Sequence, residues 1–336
     1  MLSRIAEATF WLARYLERAD HVARYLAVQF HSLLEGLGAT DGEGAWRPTL
    51  DLLGETESFA ARGLAVDGAS VLDYLVLDPD NPASIRSCLR SARENGRAIR
   101  DRISNELWEE LNTFHHAIEA ADRGVVLAEP HGFLEEVGRG IQGLYGVADT
   151  TLLHDEGWHL LRAGMFLERA GLTARFLRVR FPELAAAEDP ATGELGPLGS
   201  HVGMAILRTV SAYEAYRKVY HTRIEAHRVA ELLVLSPLFP RSIRFCLTGL
   251  DYELRAMRRT PPGIYETAAE RIAGRALAEC AYVEMDEVGG PFLDAFFERV
   301  IRRCQLIGQA IVDVYFIHPP ARARAGKEAA AVALPR

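Results

Sequence analysis

Apolar side chains recur every three to four positions along most of the chain, which is the spacing that places them on one face of an α-helix. In residues 3–35 this stripe consists of Ile5, Leu12, Leu16, Ala19, Ala23, Leu26 and Phe30. Strand signals, which are alternating β-branched runs closed by Asn-Gly or Asp-Gly, are nearly absent. The pattern therefore predicts an all-α protein.

About ten helices are predicted from this periodicity. In the first half they lie near residues 3–35, 47–62, 68–77, 82–118 and 131–154. In the second half they lie near 156–181, 200–224, 226–236, 240–260 with 264–281, and 291–316. The Ala- and Arg-rich stretch at 319–336 is expected to be a disordered tail.

Two blocks of sequence occur twice, in the same order and at similar separations. "YLERADHVARYL" at 15–26 returns as "FLERAGLTARFL" at 166–177, and "VLDPDNPASIRSCL" at 76–89 returns as "VLSPLFPRSIRFCL" at 234–247. We infer an internal duplication that gives a pseudo-twofold helical bundle, with one half at 1–155 and the other at 156–318. In the second block, Asn81 is expected to cap a helix whose first residue is Pro82.

Composition and net charge argue against some classes of protein. The net charge of −8 over 336 residues argues against a general nucleic-acid or anionic-membrane binder, whose affinity depends on clustered positive charge. The four cysteines form no CxxC pair and lie in apolar helical patterns, so buried free thiols are expected. No run of eighteen apolar residues and no signal peptide is present, so a cytoplasmic protein is expected.

The repeated Glu-Arg pairs are the main candidates for chemistry. They are Glu17-Arg18 and Glu168-Arg169, and in both copies another arginine, Arg24 or Arg175, follows the glutamate by seven residues. One interpretation is an interhelical clamp, in which each glutamate meets an arginine from another helix. The other is a site, with Glu17 and Glu168 as catalytic groups and the arginines binding an anion. The motif alone leaves both open.

Small residues beside the second pair support close helix packing. Gly164 and Gly171 lie four residues before and three residues after Glu168. They leave room for another helix to approach this face.

A stripe of arginines forms a second charged feature. On the helix predicted for 82–118, one face carries Arg86, Arg90, Arg93, Arg97 and Arg100, with Asn95 in their middle. The second half keeps Arg244 at the position matching Arg86 but has Asp251 at the position matching Arg93. Three arrangements can offset this like-charge repulsion: neighbouring Glu17, Glu168 and Asp155, a bound phosphate or carboxylate, or solvent.

Metal and nucleotide signatures are missing from the sequence. His115, His116, His154 and His159 lack the tight spacing of a motif such as HExxH, so no metal site is predicted. Asp155 fits a helix N-cap for the segment through Trp158. No Gly-rich phosphate loop follows a strand signal.

Several segments resemble the alpha-E family, a bacterial all-helical domain named for its Glu-Arg motif. They are "MLSRIAEATFWLARYLERADHVARYL", "SIRSCLRSARENGRAIRDRISNELWEELN", "GWHLLRAGMFLERAGLTARFL" and "FPRSIRFCL", and the resemblance covers about residues 1–316. The family motif maps to Glu17-Arg18 and Glu168-Arg169. The family pattern on the long helix maps to Arg93, Asn95, Arg97, Arg100, Glu106, Trp108 and Asn112.

The resemblance implies a functional setting. Members of this family are encoded beside, or fused to, a circularly permuted ATP-grasp ligase-like protein, and often occur with a transglutaminase-like protease. The chain is then expected to be the helical partner that binds the ligase, a peptide substrate, or both. No cofactor is expected on the chain itself; ATP and Mg²⁺ would enter through the ligase.

The anion-binding set expected under this interpretation joins the Glu-Arg pairs and the arginine stripe in one cleft between the halves. It consists of Arg18, Arg24, Arg86, Arg93, Asn95, Arg97, Arg100, Arg169, Arg175 and Arg244. Two alternatives stay open. One is a stand-alone enzyme acting on an anionic peptide-like substrate, with Glu17 or Glu168 as general base, and the other is a structural scaffold whose Glu-Arg clamps are satisfied internally.

Overall fold

The computed structural model describes residues 2–34, 42–189, 193–283 and 290–317. Within these ranges the chain forms fifteen α-helical segments and two π-helical turns, with a single isolated bridge between Glu188 and Leu195 and no strand. The predicted all-α class is confirmed. The tail predicted for 319–336 lies outside the described residues.

Eight helices lie among the described residues of the first half. They are α1 (Ser3–Leu34), α2 (Glu43–Leu53), α3 (Thr56–Ala60), α4 (Gly68–Leu72) continued by a π-helical turn (Asp73–Leu77), α5 (Ile85–Ala98), α6 (Asn105–Glu119), α7 (Arg123–Ala128) and α8 (Pro130–Thr151).

The second half contains seven more helices among the described residues. They are α9 (Glu156–Ala186), α10 (Pro197–Thr209), α11 (Tyr213–Tyr220), α12 (Ala226–Leu235), α13 (Ile243–Arg258), α14 (Ala268–Ala281) and α15 (Gly290–Ile311), which a π-helical turn (Val312–Phe316) continues.

Short breaks explain part of why the helices outnumber the ten predicted, and α7 forms in a segment where none was predicted. The segment predicted as one helix over 82–118 is divided between α5 and α6, where Ser104 caps the new helix by accepting a hydrogen bond from the Leu107 amide at 3.1 Å. The segment predicted over 200–224 is divided at Ser211, whose φ of 55° is left-handed. The apolar periodicity continues across both breaks, so the pattern alone could not locate them.

The two halves pack their long helices in the same order. In the first half α1 contacts α5 and α8, and both of these contact α6; in the second half α9 contacts α13 and α15, and both contact α14. The two groups meet where α1 crosses α9, and the buried apolar residues form one cluster through both halves. This correspondence is what the duplication hypothesis predicts.

The repeated second block adopts one local geometry in both copies, although the cap is not the predicted one. Helices α5 and α13 begin after Ser84 and Ser242, whose hydroxyls accept from the backbone three residues on at 3.1 and 3.0 Å. The expectation that Asn81 caps a helix starting at Pro82 was wrong. Asn81 instead accepts from the Ala83 amide at 2.8 Å and forms a turn that precedes the helix.

Close approach at the α1–α9 crossing depends on Gly164. A Cβ atom at this position would lie 2.6 Å from the Phe10 carbonyl oxygen, so only glycine fits without movement of the backbone. Gly171 faces Cys304 on α15, where a Cβ would be in ordinary contact at 3.6 Å. The close packing predicted beside Glu168 is confirmed.

The cysteines are buried free thiols, as predicted: Cys88, Cys246, Cys280 and Cys304. Burial raises the pKa of each thiol to about 12, so these groups stay protonated and unreactive near neutral pH. Among the described helices, none combines the length and apolar character needed to cross a membrane.

Candidate functional site

The two Glu-Arg motifs meet across the α1–α9 crossing, and each glutamate binds the arginine of the other motif. Arg18 Nε donates to Glu168 Oε1 at 2.7 Å. Arg169 donates to both carboxylate oxygens of Glu17, from Nε at 3.0 Å and from Nη2 at 2.5 Å. Both glutamates are buried, with Glu17 only 1% exposed. We call these four residues the crossed clamp.

Each glutamate of the crossed clamp also has a second arginine. Arg14 Nε donates to Glu168 Oε2, and Arg241 Nη1 lies 3.8 Å from Glu17 Oε2. Burial alone would raise the pKa of Glu168, but the charges of Arg14 and Arg18 outweigh it and the pKa lies below its ordinary value. The Glu168 carboxylate is therefore ionised and a weak proton acceptor.

A third buried carboxylate, Asp20, extends the crossed clamp into a larger ion-pair network, and the second copy of the motif has no equivalent of it. Arg24 Nε donates to both of its oxygens at 2.8 and 2.9 Å, and Arg241 Nη2 donates to one of them at 2.7 Å. Burial would raise the pKa of Asp20, but Arg241 and Arg24 lower it below its ordinary value. In the repeat alignment the positions matching Asp20 and Arg241 hold Gly171 and Ala83, so the network is not symmetric.

Neither Asp20 nor Arg241 belongs to the repeated Glu-Arg motif. Asp20 follows Glu17 by three residues and therefore lies on a neighbouring helix face, which was an available signal. Arg241 reaches the network from the segment before α13, and only the fold brings it there.

Two cavities lie beside this network. The smaller, of about 250 Å³, is lined by Asp20, Gln142, Tyr145, Arg162, Arg169 and Arg241. The larger, of about 540 Å³, lies between α1, α8 and α10, and its polar lining includes Arg24, His131, Arg139, Gln142, His201 and Arg208. Gln142 lines both, so the larger cavity, which we call the α1/α8/α10 pocket, adjoins the ion-pair network.

The arginine stripe lies elsewhere, along α5 and α6. Arg90 Nη2 donates to Glu119 at 2.9 Å and Arg86 lies 3.7 Å from the same carboxylate. Arg93 and Arg97 each lie 2.6 Å from Glu94. Of the three arrangements considered for the stripe, internal carboxylates provide the described contacts, but they are Glu119 and Glu94 and not Glu17, Glu168 and Asp155.

The remaining stripe residues are also engaged within α5 and α6. Arg93 donates to Asn112 Oδ1 at 3.1 Å, and both Arg93 and Arg100 lie 5.5 Å from the centre of the Trp108 ring. Asn95 donates to the Ser91 carbonyl within its own helix at 2.8 Å. The described contacts therefore separate the stripe from the crossed clamp, instead of joining them in one cleft.

Of three other predicted positions, Arg24 joins the ion-pair network, whereas Arg175 and Arg244 do not. Arg24 belongs to the network and donates to Ser211 Oγ at 2.5 Å. Arg175 is exposed. Arg244 Nη1 lies 3.5 Å from the Leu235 carbonyl oxygen. Asp155 caps α9 as predicted, accepting from the Gly157 amide at 2.8 Å.

The histidines are dispersed. His159 Nδ1 lies 2.7 Å from Glu253 Oε2, and His154 stacks on Trp158 with ring centres 4.3 Å apart. In the part of the chain that the structure describes, no three His, Cys, Asp or Glu side chains come together as a metal site would require.

Comparison with known proteins agrees with the helical architecture and the paired motif. The model of the Alpha-E family, described as a predicted alpha-helical domain with a conserved ER motif, matches residues 1–316. Uncharacterized proteins of Mycobacterium bovis and Mycobacterium tuberculosis are 28% identical over 274 residues, which cover 75% of this chain and 29% of each relative. No solved structure matches. With a model match over nearly its whole length and both Glu-Arg motifs in contact, the chain belongs to the Alpha-E family.

Proposed function

We propose that this protein is the helical partner of an ATP-grasp-type peptide or amide ligase, and that it binds substrate carboxylate or phosphate groups without carrying out the chemistry itself. The observation that carries this proposal is the occupancy of the two motif glutamates. Glu168 receives Arg14 and Arg18, and Glu17 receives Arg169 with Arg241 close by.

This occupancy disfavours the stand-alone enzyme. A general base needs a free lone pair aimed at the substrate and a pKa near the working pH. The oxygens of Glu168 are bound by guanidinium groups and its pKa is lowered. The crossed clamp is better suited to fixing the geometry of the α1–α9 crossing than to moving protons.

A partner role is supported by the relatives. The matched region is 29% of the length of the mycobacterial proteins, so in those chains the corresponding domain is part of a much longer polypeptide. From what the family resemblance implies, we propose a circularly permuted ATP-grasp ligase as the partner, with ATP and Mg²⁺ bound there and a transglutaminase-like protease as a further partner. We place this system in the bacterial cytoplasm, where ATP is available.

The test is reconstitution with a circularly permuted ATP-grasp protein from the same organism. We expect a complex of defined stoichiometry in size-exclusion chromatography with light scattering, and peptide-dependent ATP hydrolysis that rises when the chain is added. A ligase that is equally active alone, together with separate elution of the two proteins, would contradict the proposal.

The enzyme alternative is tested in the same assay without the ligase. Turnover of an acidic peptide by the purified chain, abolished by Glu17→Gln with an unchanged melting temperature, would favour catalysis. Under our proposal the chain alone turns over nothing, and Glu17→Gln lowers the melting temperature because Arg169 loses its buried partner.

A further inference from the structure

The α1/α8/α10 pocket has the size of a ligand site. Its volume of about 540 Å³ falls within the roughly 300–1,000 Å³ range of small-molecule and cofactor pockets. Helix α1 packs against both α8 and α10, so it forms the floor of the pocket and the other two helices form its walls. The α8 wall belongs to the first half of the chain and the α10 wall to the second.

The charge on this pocket is opposite to the charge on the chain. Three arginines, Arg24, Arg139 and Arg208, line it against one carboxylate, that of Glu135, whereas the whole chain carries a net charge of −8. Arg24 is neutralised by Asp20. A concave surface of one sign attracts ions of the other sign, so the pocket selects anions.

Two of the three guanidinium groups have no carboxylate partner among the described residues. Arg139 lies on the α8 wall and is exposed; Arg208 lies on the α10 wall, exposed, with its guanidinium carbon 5.5 Å from the centre of the Tyr213 ring. Three other polar side chains of the pocket already have partners: His131 lies 3.4 Å from Glu135, and Arg24 is bound to Asp20. Arg139 and Arg208 are therefore the groups available to a ligand.

The surface between these arginines is apolar. Ala27 and Val28 form part of the floor, Leu134 lies on the α8 wall, and Met204 and Ala205 lie on the α10 wall. A compact inorganic anion would leave this surface uncovered. A ligand with carboxylates along an aliphatic body would cover it and present planar oxygen pairs, which match guanidinium geometry.

We propose that the α1/α8/α10 pocket binds an acidic peptide, with Arg139 and Arg208 holding its carboxylates from two walls. This inference names the class of substrate in the proposed function. It rests on that function only where the bound peptide is taken to be the substrate of the ligase. The position of Arg24 links the pocket to the crossed clamp, because Arg24 binds Asp20 and Asp20 binds Arg241.

The test uses the purified chain alone, so that it is independent of complex formation with the ligase. Fluorescence anisotropy is measured with a rhodamine-labelled hexaglutamate peptide and with hexaglutamine carrying the same label, at physiological salt. We expect saturable binding of hexaglutamate and none of hexaglutamine. The Arg139→Gln/Arg208→Gln variant should raise the Kd by about a hundredfold, since each of the two charge-assisted contacts is worth about a factor of ten.

A matched control separates site binding from bulk charge. The Arg47→Gln/Arg302→Gln variant removes the same charge from exposed positions outside the pocket and should leave the Kd unchanged. Equal weakening by both double variants, or wild-type affinity in the pocket variant, would overturn the proposal. Full competition by inorganic phosphate at equal total charge would also overturn it, because the apolar surface would then contribute nothing.

A second variant tests the apolar surface directly. Ala27→Phe adds a ring to the pocket floor from a partly exposed position and should abolish hexaglutamate binding while the melting temperature stays near that of the wild type. Unchanged affinity would place the peptide elsewhere. The ligase is absent from these measurements. If the peptide does not bind but the complex with the ligase forms, only this inference is overturned. If the peptide binds but no complex with the ligase forms, only the proposed function is overturned.

Discussion

Glu168 illustrates how a buried carboxylate keeps its charge in this protein. It is 7% exposed, yet Arg14 and Arg18 hold its pKa below the ordinary value. Those two arginines stay partly in water, with exposed fractions of 18% and 33%. The interaction is therefore stronger than a surface ion pair but weaker than a fully buried one.

Glu168→Gln should destabilise the protein while preserving side-chain size. Removing one partner of a buried pair costs about 3–5 kcal/mol, and screening at the partly exposed arginines reduces this to about 2–3 kcal/mol here. Urea denaturation measures the loss. The control is Glu94→Gln on the partly exposed arginine stripe, expected to cost less than about 1 kcal/mol. An equal effect of both changes would contradict a special role for the crossed clamp.

His21 makes stability depend on pH in a definite window. Burial, followed by the charge of Arg241, lowers the pKa of His21 to about 4 from 6.5, against the opposing effect of Asp20. Below pH 6.5 the unfolded chain takes up a proton that the folded chain refuses until about pH 4. Stability should therefore fall as the pH drops through this window.

The expected loss through His21 is about 3 kcal/mol between pH 6.5 and 4. Denaturation midpoints measured across this range should show the slope, and His21→Leu should flatten it. If the two proteins have parallel profiles, the imidazole is not buried in the neutral form.

At the scale of the helix, one contact decides how closely α1 and α9 approach. Gly164 places backbone against backbone, with the Phe10 carbonyl only 2.6 Å from the position of a Cβ. The crossed clamp requires this approach, because an arginine on one helix has to reach a glutamate on the other. The glycine and the ion pairs therefore act together.

Gly164→Ala should destabilise the fold by about 1–3 kcal/mol, because the added methyl group meets backbone that cannot move away. A glycine inside a helix is otherwise worse than alanine by about 0.5–1 kcal/mol. The control is Gly146→Ala in α8, where nothing lies within 4 Å of the new Cβ and a small gain in stability is expected. A gain in stability at both positions would show that α1 and α9 can accommodate an extra methyl group at their crossing.

The sequence predicted the helical elements well and the ion-pair partners less well. Periodicity identifies the face of a helix, and repetition marked Glu17-Arg18 and Glu168-Arg169. Which carboxylate meets which guanidinium depends on helix crossings, so Glu94 and Glu119 were not foreseen as partners of the stripe, and Arg241 was missed. The break between α5 and α6 was missed because the apolar pattern continues through it.

At the scale of the whole molecule, the two halves share one core. Helix α1 packs in the first group and α9 in the second, and each buries a face against the other. Neither half can be removed without exposing that face. The chain is therefore expected to unfold as one unit, although its length would allow two domains to unfold separately.

Cooperative unfolding can be followed with probes that report different halves. Trp11, Trp46 and Trp108 lie in the first half and Trp158 in the second, so fluorescence of Trp158→Phe reports the first half alone. Circular dichroism reports helices in both. We expect the two denaturation curves to coincide in Trp158→Phe, because loss of either group uncovers the α1–α9 interface and removes the support of the other.

Adding Glu168→Gln to the same protein should move both curves to lower urea by equal amounts, with the curves still superimposed. The apolar contact between α1 and α9 remains in this variant, so the coupling between halves persists while its strength falls. Separation of the curves would mean that the crossed clamp, and not the apolar core, joins the halves. In that case a ligand in the α1/α8/α10 pocket, which has one wall from each half, would shift only the transition of the half it binds more tightly.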